Sequence, residues 1–151
     1  MIRADFSASM PVVSRPVVID GQAYLDGGIS DAVPYAYMEH QGYDRNVIVL
    51  TQPKGYRKKP EASLVMKLFL RRLPKICEAM ERRHEMYNRQ MDELDRMKTE
   101  KAALIIRPPE DLRIGHTEKN PEELERVYQI GRQEAEKHLS EIRQWLKIRE
   151  E

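Results

Sequence analysis

Cysteine is almost absent from this 151-residue chain. Cys77 stands alone, which rules out an intrachain disulfide and suits a reducing compartment. Aromatic residues make up 7%, with two Phe and one Trp, so core material is modest and mainly aliphatic. No apolar run approaches the roughly 18 residues of a membrane span, and no signal-peptide pattern opens the sequence. An excess of one charge is missing too. A net charge of +1 gives no global case for nucleic acid or an acidic substrate. The expected location is therefore cytoplasmic.

Charge of both signs is abundant, at 34% of residues, but unevenly spread. Residues 54–83 carry ten Lys/Arg against three Glu, whereas 110–151 carry eight against eleven acids. The basic run Lys54 to Lys59, with Tyr56 inside it, could meet an anionic lipid surface peripherally; the plainer reading is a solvated loop. It lacks an aromatic platform or a recognised nucleic-acid module, so no nucleic-acid partner is expected.

The chain is organised around Tyr24-Leu25-Asp26-Gly27-Gly28. Before it, Val17-Val18-Ile19 and Gln22-Ala23-Tyr24-Leu25 are β-prone runs joined by Asp20-Gly21, a strong hairpin signal because a type I′ turn needs two positive φ angles. The second strand ends at Asp26, and Gly27 and Gly28 let the backbone turn tightly or approach a ligand. A carboxylate at a strand end beside a permissive backbone is a common place for a catalytic group, although such an Asp also caps turns.

The ordered series Ala8-Ser9-Met10-Pro11, Arg15-Pro16-Val17, Ile19-Asp20-Gly21, Asp26-Gly27-Gly28 and Val33-Pro34 resembles the second half of a patatin-like phospholipase domain. Gly42-Tyr43-Asp44, Val47 to Thr51, Gly55 to Pro60, Arg107-Pro108-Pro109 and Tyr128 to Gly131 resemble a bacterial branch of that family. The resemblance implies a three-layer α/β/α domain over 1–109, with a helical extension over 110–151. It also implies a Ser–Asp dyad in which Asp26 is the base, Gly27 and Gly28 shape its loop, and acyl esters such as phospholipids are the substrates. The family's G-x-S-x-G serine is not in this sequence; the six serines (7, 9, 14, 30, 63, 140) lack flanking glycines. This chain is thus expected to be a C-terminal part that is inactive alone. In such a dyad the carboxylate takes the serine proton directly, so partial desolvation would have to make it a better base. The competing expectation is a non-catalytic helical interaction module.

Elsewhere the pattern predicts a short helix from Tyr35 to Gln41, capped by Ser30-Asp31 and stopped at Gly42. Val47 to Leu50 and Ala102 to Ile106 read as buried strands, the first covered on both faces and completing a βαβ unit with the strand before Asp26. Residues 1–15 read as a strand remnant passing into a turn. Helices are predicted from Glu61 to Leu73, from Pro74 to Thr99, and from an Asn120-Pro121-Glu122-Glu123 capping box to the C-terminus. The Pro74 helix carries a seam of Ile76/Cys77, Met80, Tyr87, Met91 and Leu94; the last helix carries one from Leu124 to Trp145/Leu146. Cys77 packs rather than reacts. His40, His84, His116 and His138 have no flanked nucleophile to serve, and no residue set has metal-ligand spacing, so neither metal nor cofactor is expected. Taken alone, the chain is expected to expose an apolar face and an unpaired strand edge. It should then self-associate or need the missing N-terminal half.

Overall fold

Asp20 and Gly21 both take positive φ, 50° and 77°, and fold β1 (Val17–Ile19) against β2 (Gln22–Tyr24). The strands are antiparallel, with Val17 opposite Tyr24 and Ile19 opposite Gln22. This is the hairpin that the Asp-Gly pair predicts. The computed structural model describes residues 17–60, 68, 70–71, 73–115 and 118–147. The expected strand over 1–15, most of the expected helix from Glu61 to Leu73, and His116 lie outside them.

The remaining elements are a 3-10 turn (Gly27–Ile29), α1 (Tyr35–His40), β3 (Asn46–Val49), α2 (Pro74–Thr99), β4 (Ala103–Ile106) and α3 (Pro121–Leu146). The architecture is mixed α/β. Contacts between Cα atoms divide the chain into two compact units, residues 1–34 with 57–92, and residues 35–56 with 93–151.

The first unit holds the hairpin, the 3-10 turn and most of α2. Ile29, Leu70 and Met80 are buried together, with Leu25, Ile76, Cys77 and Ala79 packed against them. Cys77 therefore acts as a small apolar side chain at the edge of this core.

In the second unit β3 and β4 pair in parallel, Asn46 opposite Ala103 and Val49 opposite Ile106. A parallel pair needs a long crossover, and α2 lies between these two strands in sequence. This corrects the expected βαβ unit: β2 pairs with β1, and the parallel partner of β3 is β4. All four β4 residues are buried, as a continuous apolar run predicts. β3 is different. Ile48 is buried, yet Val49 is 70% exposed, so the strand is not covered on both faces among the described residues. Its sequence carries the pattern of a central strand, but among the described residues it pairs with β4 alone.

Helix ends follow local chemistry. At the end of α1, Gly42 (φ 87°) donates to Glu39 O and Tyr43 to Met38 O, the paired bonds of a Schellman cap. The same pair closes α2, where Lys101 donates to Lys98 O and Ala102 to Met97 O. There the left-handed residue is Lys101 (φ 54°), which no glycine signal announces. At the start of α3, Asn120 Oδ1 accepts from Glu122 N at 3.0 Å, as the predicted N-cap should. The reciprocal half of the capping box is corrected. Glu118 Oε1 accepts from Asn120 N at 2.8 Å, while Glu123 accepts from Arg126 Nε at 2.9 Å. The backbone N–H groups of Asn120 and Lys119 hold the Glu118 carboxyl below its usual range.

Candidate functional site

Asp26 lies two residues past the end of β2 and is half-buried. Its φ of −55° and ψ of 124° leave the extended region just before the 3-10 turn, and its Oδ1 accepts from Gly28 N at 2.8 Å. Asp26 is thus a cap, one of the two roles its sequence context allows. Oδ2 takes no hydrogen bond among the described residues. The two glycines differ. A Cβ on Gly28 would lie 3.2 Å from Asp26 Oδ1 and 3.7 Å from an Arg83 nitrogen, whereas one on Gly27 would meet nothing. Space is therefore short at Gly28 alone. Gly27 contributes its carbonyl, which accepts from Ser30 N, Asp31 N and Ser30 Oγ.

The turn is held from α2. Arg83 Nε donates to Gly28 O at 2.9 Å. One Gln90 amide reads the next loop, with Nε2 donating to Asp31 Oδ1 at 2.6 Å and to Val33 O at 3.2 Å, and Oε1 accepting from Val33 N at 3.3 Å. Asp31 is therefore not the cap of α1. It lies too far before Tyr35 and is engaged by Gln90. The apolar pattern of the sequence does not mark Arg83 and Gln90. Their seven-residue spacing, two turns of one helix face, was the signal available. Ile29 supplies the apolar side of the same junction by entering the core with Leu70 and Met80.

The basic segment is tied to the same helix. Arg57 pairs with Asp92 and donates to Asn88 O at 3.0 Å. Asn88 Oδ1 accepts from Lys58 N at 2.9 Å, and its Nδ2 donates to Lys58 O at 3.0 Å. Arg57 is thus part of a strap on α2. Lys54 and Lys59 are exposed.

The described histidines are accounted for locally. His40 ends α1, His84 Nδ1 lies 2.9 Å from Glu81 O, and His138 Nδ1 lies 3.0 Å from Glu141 Oε2. Among the described residues, no group of three or more His, Cys, Asp or Glu could hold a metal ion. Nor is any described helix long and apolar enough to cross a membrane.

The second unit has its own polar features. Tyr35 is buried and donates its hydroxyl to Glu93. Burial, then that hydrogen bond and the Glu93 charge, raise its phenol well above the ordinary value. Arg107, from the Arg-Pro-Pro run, pairs with Asp95 at 2.8 Å, and its side chain is nine-tenths buried. A cleft of about 1000 Å³ lies between the strand residues Ala103–Ile105 and the end of α3. Its rim mixes Arg45, Lys98 and Lys101 with Asp44 and Glu141, so it favours no one charge. None of the residues around Asp26 lines it.

No curated protein matches the chain. Residues 73–147, just under half of the sequence, match the family model of a domain of unknown function (DUF6363).

Proposed function

We propose that the chain is the C-terminal part of a patatin-like serine acyl hydrolase, with Asp26 as the base of a Ser–Asp dyad. One observation carries this reading beyond the motif series. Asp26 is fixed just past a strand end by a bond to one carboxylate oxygen, and among the described residues the other oxygen takes no hydrogen bond. Arg83 and Gln90 brace the surrounding loop from α2. A base in that position would take the proton of a serine hydroxyl as its oxygen attacks an ester carbonyl. It would return the proton to the leaving alcohol, and water would then release the acyl group. The serine would come from a segment carrying G-x-S-x-G, which this sequence lacks. The parallel strands β3 and β4 would belong to the wider sheet of a three-layer α/β/α domain. Substrates would be lipid acyl esters in the cytoplasm, approached peripherally at a membrane surface.

The test is ester hydrolysis by this chain alone and joined to the serine-bearing half. The joined protein should turn over short-chain esters and lysophospholipid, and the chain alone should not. Asp26→Asn should lower turnover by about 10²–10⁴-fold or more with folding intact. A folded Asp26→Asn protein that keeps most of its activity would remove Asp26 from the mechanism.

A second reading, a helical interaction module without catalysis, is favoured by α3, along which no residue is fully buried.

A further inference from the structure

α3 has two apolar sides, and its own unit half-covers just one. Val127, Ile130, His138 and Trp145 are half-buried. A quarter-turn away, Leu124, Tyr128, Leu139 and Leu146 are exposed, Tyr128 at 58% and Leu139 at 45%. Gly131 and Ala135 lie in the same stripe and are exposed as well. A Cβ on Gly131 would meet nothing, so no packing among the described residues explains a glycine in mid-helix, where it is the least favourable residue after proline.

We propose that this stripe pairs with the same stripe of a second copy, antiparallel, crossing at Gly131 and Ala135. The pattern is its own mirror about Ala135. Reversal of the helix places Leu124 on Leu146, Tyr128 on the half-buried Ile142 and Gly131 on Leu139. These positions fall within an arc of about 80° at 3.6 residues per turn. Small residues stand at the centre, where two helix backbones come closest, and large ones at the ends. Beside the stripe, on the side away from the half-buried face, run Glu125, Arg132, Glu136 and Arg143. In an antiparallel pair like flanks meet, which sets Glu125 near the partner copy's cation at 143 and adds its anion at 136 to the Glu136 that Arg132 already pairs with in its own helix. Glu141 and Trp145, near the C-terminal end of α3, line the same cleft as the β4 residues Ala103–Ile105, so the two sheets would lie at opposite ends of the pair. This pairing does not depend on acyl-transfer activity.

Sedimentation equilibrium of the full chain, with circular dichroism to check helix content, tests it. The chain should form a concentration-dependent dimer. Ala135→Arg, at an exposed central position, should weaken it roughly tenfold or more with helicity unchanged. Arg132→Glu and Glu136→Arg should each weaken the dimer, and the double exchange should restore it. In a Cys77→Ser background, Ala135→Cys should form an intermolecular disulfide under mild oxidation, because a site on the two-fold axis meets itself, and Gln133→Cys on the opposite face should not. A monomer at all concentrations, as when another segment of the polypeptide covers the stripe, overturns the proposal. So does a dimer that tolerates Ala135→Arg, or equal crosslinking at positions 133 and 135.

Discussion

The two long helices, α2 and α3, have 26 residues each and open on a proline, yet they reach opposite ends in packing. α2 buries Met80, Met91, Leu94 and Met97, and its polar side chains Arg83, Asn88 and Gln90 are spent on loop backbone. α3 buries no residue, and its polar side chains are spent largely on one another, as in Arg132 with Glu136 and Lys137 with Glu134. Exposed pairs of that kind stabilise by a few tenths of a kcal/mol each, through helix formation rather than tertiary structure. An amphipathic pattern therefore specifies a helix and a sticky side, and says nothing about whether the same chain supplies the cover.

Breaking this contrast begins in the core. Leu94 is 0% exposed, so Leu94→Ala should cost about 2–5 kcal/mol, read as a lowered denaturant midpoint. Leu139→Ala on α3 should change monomer stability by no more than about 0.5 kcal/mol. Comparable losses at the two sites would mean that α3 is packed as firmly as α2.

The hydrogen bond at the end of α2 sharpens the contrast with a pH signature. The folded Tyr35 phenol holds its proton more tightly than the unfolded one, whose pKa is about 10. Its contribution is fully present below that value. It declines as pH rises above it, because the unfolded chain then releases a proton that the folded chain retains. Tyr35→Phe should remove this alkaline loss and lower stability near neutral pH by about 1.5–3 kcal/mol, the range for a hydrogen bond to a charged group. Urea titrations of both proteins at pH 7 and above pH 10 measure it, and an unchanged alkaline slope would contradict the assignment.

The smallest effect is at Gly131. With open space at its Cβ, Gly131→Ala should stabilise the monomer by up to about 1 kcal/mol, seen as a higher thermal midpoint at high dilution. A loss there would mean that the glycine already packs against something within the chain.

Much of the fold was legible where one residue type has one cheap conformation. Asp20-Gly21 announced the hairpin, Gly42 the end of α1, and Pro74 and Asn120-Pro121 the starts of the long helices. The end of α2 was less so, since Lys101 takes the left-handed conformation without glycine. At the candidate site, Asp26 and its capping role could be read from Leu25-Asp26-Gly27-Gly28, because those contacts are only two residues apart. Arg83 and Gln90 could not, being 55 to 59 residues from the groups they hold.

By itself, then, the sequence determined the local elements and the loop around Asp26, since backbone sterics, caps and periodicity act within a few residues. Tertiary structure alone decided that β3 pairs with β4 and not with β2, that Asp31 turns to Gln90, and that α3 keeps its apolar stripe outside. Each is a choice among chemically equivalent partners, settled by which groups the folded chain brings within reach.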